Sequence, residues 1–321
     1  MILFWIIILA ASLFGLIKSA DYFTAYSEKI GLVLGMSSFI VGATIVAIGT
    51  SLPELVSSLF ALSAGTTEFV ADNIVGSNIA NALLILGIAG VVAKRGLKLT
   101  TSLIDVDLPF FFMSMAVFGF FALDKTISLV EGIALLIFFV VFVIYNVKSE
   151  PAANDQDEMA DFENRHTKNP GGKQILKYVG IIVVSVAVLS VSAKYLIDSI
   201  LTLSELLKIS SSTLTITVVA FGTSLPEILT SIAAVRRGNH GMAVGNVLGS
   251  NTFNLLLIGG LPAVITPLAI DTTTYAIGLP FLVIATFVAI FVMFDNRIRR
   301  WEGVAMLFFY LVFIGKIVGI M

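Results

Sequence analysis

The 321-residue chain has no cysteine, and charge is scarce: 19 Lys and Arg and 21 Asp and Glu make up 12% of it. Without thiols there are no disulfides and no thiolate metal sites. A soluble domain carries about a quarter charged residues, so a soluble fold is excluded too. Histidine is nearly missing, with only His166 and His240. No basic patch with interleaved aromatics is present, so nucleic acid is not an expected partner. The opening run MILFWIIILAASLFGLI has no basic segment before it and no small-residue cleavage site after it. It reads as a first permanent span rather than a signal peptide.

What is present is apolar. Hydrophobic residues make up 58% of the chain, and the mean hydropathy is +1.02. About 20 apolar residues cross a bilayer as a helix. Ten segments reach that length, near 2–20, 36–61, 72–93, 103–123, 127–147, 175–197, 210–234, 242–266, 273–294 and 302–320. One long polar stretch, 148–174, divides them five and five. The expectation is an all-α membrane protein of ten transmembrane helices. Residues 1–147 form a first five-helix unit, 148–174 a linker and 175–321 a second five-helix unit. Of the 19 basic residues, 15 fall on one side of this topology. That side is cytoplasmic by the positive-inside rule. Both termini then lie outside and the linker inside, with a prokaryotic plasma membrane as the expected location.

The halves repeat each other. SSFIVGATIVAIGTSLPEL from Ser37 matches SSSTLTITVVAFGTSLPEI from Ser210, and NIVGSNIANALLILG from Asn73 matches NVLGSNTFNLLLIGG from Asn246. Both blocks share an offset of 173 residues. A weaker echo, Leu108-Pro109-Phe110 against Leu279-Pro280-Phe281, is offset by 171. An odd number of spans per half turns the second half upside down, the inverted-repeat plan of secondary transporters.

Each GTSLPE puts a glutamate and a proline inside an apolar span. A charge at the bilayer centre costs roughly 2.5–3.5 kcal/mol on insertion scales and needs a partner. No intramembrane Lys or Arg lies near Glu54 or Glu227 in the sequence, so a cation or a proton is the natural partner. Pro53 and Pro226 each remove one helical hydrogen bond, and unwinding is expected near Gly49 and Gly222. Thr50 with Glu54, Thr223 with Glu227, Ser77 with Asn81 and Ser250 with Asn254 are all i,i+4 pairs that share a helix face. These side chains offer oxygen, with no sulfur or imidazole. Ca²⁺ takes about 6–8 oxygens, and Mg²⁺ sheds its water reluctantly, so Ca²⁺ or Na⁺ fits better. Small polar residues also glue membrane helices together, and that is the reading for Ser37, Ser38, Ser57 and Ser58. The linker acids, such as Asp155 and Glu158, match no EF-hand and read as a solvated tether.

The GTSLPE and GSN…N pairs resemble the two alpha-repeats of the calcium/cation antiporter superfamily, sodium/calcium exchanger branch. The resemblance covers both halves. It implies ion sites between spans 2, 3, 7 and 8, lined by Thr50, Ser51, Glu54, Ser77, Asn81, Thr223, Ser224, Glu227, Ser250 and Asn254. It adds the backbone carbonyls of Ala47 and Ala220 to that set. It also implies that spans 1 and 6 move against the rest. Asn254 departs from some prokaryotic members and from the potassium-dependent branch, which tend to have Asp there. That weakens the case for K⁺ co-transport. Animal exchangers of this kind have a large calcium-sensing domain between the halves, and this linker is too short for one.

The leading expectation is an Na⁺/Ca²⁺ antiporter working by alternating access, with H⁺/Ca²⁺ (or another cation/Ca²⁺) antiport as the alternative. Inorganic cations and the lipid bilayer are the expected partners. No cofactor and no protein partner are implied. An intramembrane hydrolase using Ser51 or Ser224 lacks a general base, so an enzyme is not expected.

Overall fold

The structure, a computed structural model, describes residues 2–63, 65–93, 96–98, 108–148, 171–206 and 224–320. Several expectations lie outside these residues: Ala220, Thr223, the start of the fourth span at 103–107, residues 210–223 of the seventh, and most of the linker with His166. The described residues form ten helical segments, α1 Ile2–Val33, α2 Ser38–Ser63, α3 Thr67–Val92, α4 Leu108–Asp124, α5 Leu129–Lys148, α6 Gly172–Leu206, α7 Leu225–Arg236, α8 His240–Ile265, α9 Thr274–Met293 and α10 Arg300–Ile317. Seven of them are long and apolar enough to cross a membrane by length and composition alone.

Burial sorts the helices into a centre and a rim. In α3 and α8 the apolar windows are 83% and 78% buried, whereas in α1 and α6 they are only 17% buried. The central helices are rich in Gly, Ser, Asn and Ala, which let backbones approach and leave room for hydrogen bonds. The outer pair presents Phe14, Tyr22, Val184 and Val188 outward.

The outer pair is also longer than expected. At about 1.5 Å per residue, the 32 residues of α1 and 35 of α6 extend about 48 and 52 Å. The hydrocarbon core is about 30 Å thick, so these helices tilt or project beyond it. The first span was expected to end near residue 20, because Lys18, Asp21 and the residues after them are polar. Nothing there breaks a helix, however, and the first residue with positive φ is Gly35 (φ 68°). α1 and α6 run antiparallel: a Cβ at Gly15 would lie 2.5 Å from Ser192 Oγ, while Tyr26 meets Tyr178 with ring centroids 5.4 Å apart.

Two short antiparallel ribbons join the loops. β1 Leu97–Lys98 pairs with β4 Arg297–Ile298, and β2 Thr126–Ile127 pairs with β3 Leu268–Ala269. β1 follows α3 and β4 precedes α10. β2 follows α4 and β3 follows α8. Under the sequence repeat, each ribbon is the counterpart of the other. The helices show the same correspondence. A Cβ at Gly303 in α10 would meet the Gly87 carbonyl of α3, and one at Gly132 in α5 would meet the Gly260 carbonyl of α8. Gly87 and Gly260 are 173 apart, while Gly132 and Gly303 keep the 171 offset of the LPF echo.

The expected unwinding at Gly49 is absent. Residues Ala47–Ser63 form one α-helix with Pro53 inside it, and the distortion lies a turn earlier, as the π-helical turn Gly42–Val46. Gly49 has a different role. A Cβ there would fall 2.5 Å from Phe23 Cζ of α1 and 3.3 Å from Val186 of α6. The glycine makes room for the outer pair. In the second copy, Pro226 sits in the first turn of α7, where its missing N–H breaks no helical bond.

Candidate cation site

α2, α3, α7 and α8 meet at the centre and carry the motif residues. Thr50, Ser51, Glu54, Ser77, Asn81, Ser224, Glu227, Ser250 and Asn254 are all at most 4% exposed. Contacts join the halves directly. The Ser51 hydroxyl donates to Glu227 Oε1 at 3.2 Å, and Thr50 Oγ1 lies 3.3 Å from Asn246 Oδ1. Ser51 lies one turn before Glu54 on α2, so Glu227 reaches the stretch of α2 that carries the other glutamate. Their helices also bond alike beyond the carboxylates. Ser57 donates to the Glu54 carbonyl at 3.0 Å, and Thr230, its repeat counterpart, contacts the Glu227 carbonyl at 3.2 Å.

Eight polar atoms of this set are buried with no hydrogen-bond partner among the described residues. They are Oε2 of Glu54 and of Glu227, Oγ of Ser77 and of Ser224, and both amide atoms of Asn81 and of Asn254. Each such atom costs about 1–3 kcal/mol, more when charged. Six of them are oxygens. Native interiors leave few polar atoms unpaired, and a concentration of them at one place marks a missing ion, water or catalytic role. Among the described residues no cluster of three or more His, Cys, Asp or Glu could hold a metal. The chemistry on offer is two carboxylates with neutral hydroxyl and amide oxygens, a hard set suited to alkali and alkaline-earth cations.

Four of the twelve expected site residues, Ala47, Thr50, Ser51 and Ser250, already make contacts within the site. Ser250 Oγ lies 3.4 Å from Asn246 Oδ1, and the Ala47 carbonyl is 3.3 Å from the Thr50 hydroxyl. Ala220 and Thr223 lie outside the described residues.

The structure also adds features that the motif reading passed over. Both orphaned asparagines lie in π-helical turns, Ala80–Ile85 around Asn81 and Asn254–Ile258 beginning at Asn254. Such turns are rare and cluster at functional positions. Asn246 is the polar hub of the site. Its Nδ2 donates to Ser231 Oγ at 2.9 Å, with Thr230 Oγ1 at 3.3 Å and the Glu227 carbonyl at 3.4 Å. The signal was in the sequence, since Asn246, Ser250 and Asn254 are spaced i, i+4, i+8 on one stripe. Asn78 and Asn251 were also missed. They are 173 apart, and Asn251 Nδ2 donates to the Asn78 carbonyl at 3.3 Å. Asn246→Ala unties α7 from α8 and leaves the Thr50 hydroxyl only the Val46 and Ala47 carbonyls of its own helix. We expect its apparent Ca²⁺ affinity to fall about tenfold, measured as the KM of Ca²⁺ uptake, with the maximal rate changing less.

The family model "Sodium/calcium exchanger protein" matches residues 4–148 and 177–318. Inner membrane protein YrbG of Escherichia coli is 34% identical, over 84% of this chain and 82% of its own length. Sodium/calcium exchanger MaX1 of Methanosarcina acetivorans is 32% identical, over 96% of this chain and 97% of its own. A solved structure of the sodium-calcium exchanger NCX_Mj, soaked with 10 mM Na⁺ and no Ca²⁺, superposes with a TM-score of 0.82 at 26% identity, covering 97% of this chain and 98% of that one. Duplicated glutamate motifs, one buried oxygen-rich site and a match across both halves lead to one assignment: the chain is an integral membrane protein of the sodium/calcium exchanger family, a transporter and not an enzyme.

Proposed function

We propose that the chain is a secondary-active antiporter that exchanges Na⁺ for Ca²⁺ by alternating access. The observation that carries this is that Glu227 of one half bonds to Ser51, one turn before Glu54 of the other, among buried oxygens that lack partners among the described residues. Two carboxylates balance one Ca²⁺. The same carboxylates, hydroxyls and amides would receive Na⁺ when Ca²⁺ leaves. Coupling follows because an empty site holding two bare carboxylates crosses its gate only at high cost. Thr50, Ser51, Ser77, Asn81, Thr223, Ser224, Ser250 and Asn254, with the carbonyls of Ala47 and Ala220, complete the proposed ion pathway.

In this reading residues 1–147 and 175–321 are inverted five-helix repeats joined by the cytoplasmic linker 148–174, with both termini outside a prokaryotic plasma membrane. Support comes from the reciprocal ribbons and the paired glycine crossings. α1 and α6 are the natural moving pair. They pack mainly on each other, sit at the rim, and contact the site helix at Gly49 through Phe23 and Val186.

Everted membrane vesicles loaded with Ca²⁺ separate Na⁺ coupling from H⁺ coupling. An imposed Na⁺ gradient is expected to drive Ca²⁺ flux, and a pH gradient alone to leave it near background. Flux driven by the pH gradient and not by Na⁺ would assign H⁺/Ca²⁺ exchange instead.

A further inference from the structure

Two apolar grooves of similar size open on the lipid-facing surface. One, about 650 Å³, lies between α4 and α9 and is lined by residues such as Phe112, Phe120, Tyr275 and Phe287, with no charged group among the described residues. The other, about 670 Å³, runs between α1 and α6. Its walls include Phe14, Val184 and Val188, but Lys18 of α1 and Lys177 of α6 line it as well. Gly180 gives this groove a notch, because a Cβ there would meet nothing within 4 Å.

We infer that the α1–α6 groove binds an anionic phospholipid, with an acyl chain in the apolar channel and the negative headgroup attracted by the positive charge of Lys18 and Lys177. The groove supplies the shape, and the lysines select the occupant. Lysine within a membrane-spanning helix is costly and snorkels toward anionic or aqueous surroundings. Among the described residues no carboxylate pairs with either ammonium. Lys18 only stands over the Phe14 ring, 5.9 Å from its centroid. The lysines come from different helices, so both walls of the groove carry positive charge. A zwitterionic lipid brings its own ammonium to the same place and loses most of that attraction. Basic pockets between membrane helices at the cytoplasmic side are known receptors for such headgroups, and each lysine near an anionic surface contributes about fivefold in binding. On the proposed topology, Lys177 faces the cytoplasmic leaflet.

Native mass spectrometry of the full-length protein tests this, titrating phosphatidylglycerol against phosphatidylcholine with the same acyl chains. The wild type is expected to hold phosphatidylglycerol at least about tenfold more tightly. In the Lys18→Gln, Lys177→Gln double variant that preference falls to within about twofold, while phosphatidylcholine binding persists and reports an intact groove. Gly180→Leu fills the notch and lowers binding of both lipids. Lys173→Gln, one turn from Lys177 but not lining the groove, leaves the preference in place. The inference is overturned by equal binding of the two lipids to the wild type, or by a preference that survives in the double variant. It is equally overturned if Lys173→Gln removes the preference, which assigns it to diffuse surface charge, or if Gly180→Leu binds both lipids normally.

Discussion

Glu54→Gln and Glu227→Gln are each expected to reduce Ca²⁺ transport by about 100-fold or more, with the protein still inserted and monodisperse. Glutamine keeps the shape and one oxygen acceptor but removes the charge. Both carboxylates are 1% exposed, and each has an oxygen with no partner among the described residues. Removing one member of a buried charge pair typically costs 3–5 kcal/mol. At about 1.4 kcal/mol per factor of ten, that is roughly two to three orders of magnitude in affinity for a divalent ion. Uptake of radioactive Ca²⁺ into proteoliposomes measures it, with size-exclusion profiles as the folding control. Ser51→Ala is expected to be milder, near tenfold. The serine only orients Glu227 Oε1 through a 3.2 Å hydrogen bond, and the carboxylate keeps its charge without it. If either glutamine variant transports at the wild-type rate, that glutamate is not in the ion pathway.

Much of this site was legible in the sequence because its strongest signal is an energetic anomaly. Glutamate inside an apolar span needs an explanation, and finding it twice at one offset supplies most of it. Ser77, Asn81, Ser250 and Asn254 followed because i,i+4 spacing survives any tilt of the helix. Asn246 uses the same spacing, yet it passes for helix–helix glue until its bonds to Ser231, Thr230 and the Glu227 carbonyl are traced. The π-helical turns were out of reach. A shift from i→i+4 to i→i+5 bonding depends on what the surrounding helices press against, and no residue type in Ala80–Ile85 or Asn254–Ile258 demands it.

Helix ends divide along similar lines. The ends of α3, α8 and α10 fell within a few residues of expectation, apart from an earlier start for α3, because turns and charges bound them. α1 and α6 ran past their apolar runs, since hydropathy reports where lipid contact stops and not where a helix does. The role of Gly49 was inverted for a related reason. Proline four residues on made unwinding the local expectation, but a continuous helix forms with Pro53 inside it, and the space beside Gly49 is taken by Phe23. Side-chain packing from a distant helix set the need for glycine there, and no local pattern encodes that.

Packing against backbone sets the second large effect, at the crossing of α2 and α8. Gly249→Val is expected to prevent recovery of folded protein or to lower its thermal midpoint severely. A Cβ at Gly249 would lie 2.6 Å from Ala43 Cα and 2.7 Å from its carbonyl carbon. A Cβ at Gly245 would lie 2.8 Å from Ala43 N, and one at Gly42 2.8 Å from Met242 Cα. These neighbours are main chain and cannot rotate away, so the helices must separate. Overpacking typically costs about 1–3 kcal/mol where side chains yield, and a backbone clash exceeds that range. Separation would also pull Thr50 from Asn246 and Ser51 from Glu227, contacts at 3.3 and 3.2 Å that join the two halves. Gly249→Ala is the graded version. It is expected to lower the midpoint less than valine does and to cut Ca²⁺ affinity before it abolishes folding. Gly119→Ala provides the contrast, since a Cβ there meets nothing within 4 Å and a helix interior gains from alanine. Fluorescence-detected size exclusion with a heating series measures all three. Wild-type stability in Gly249→Val would mean that the α2–α8 crossing is wider in the membrane, and the site would then lack the backbone contact that holds the Glu54 helix against α8.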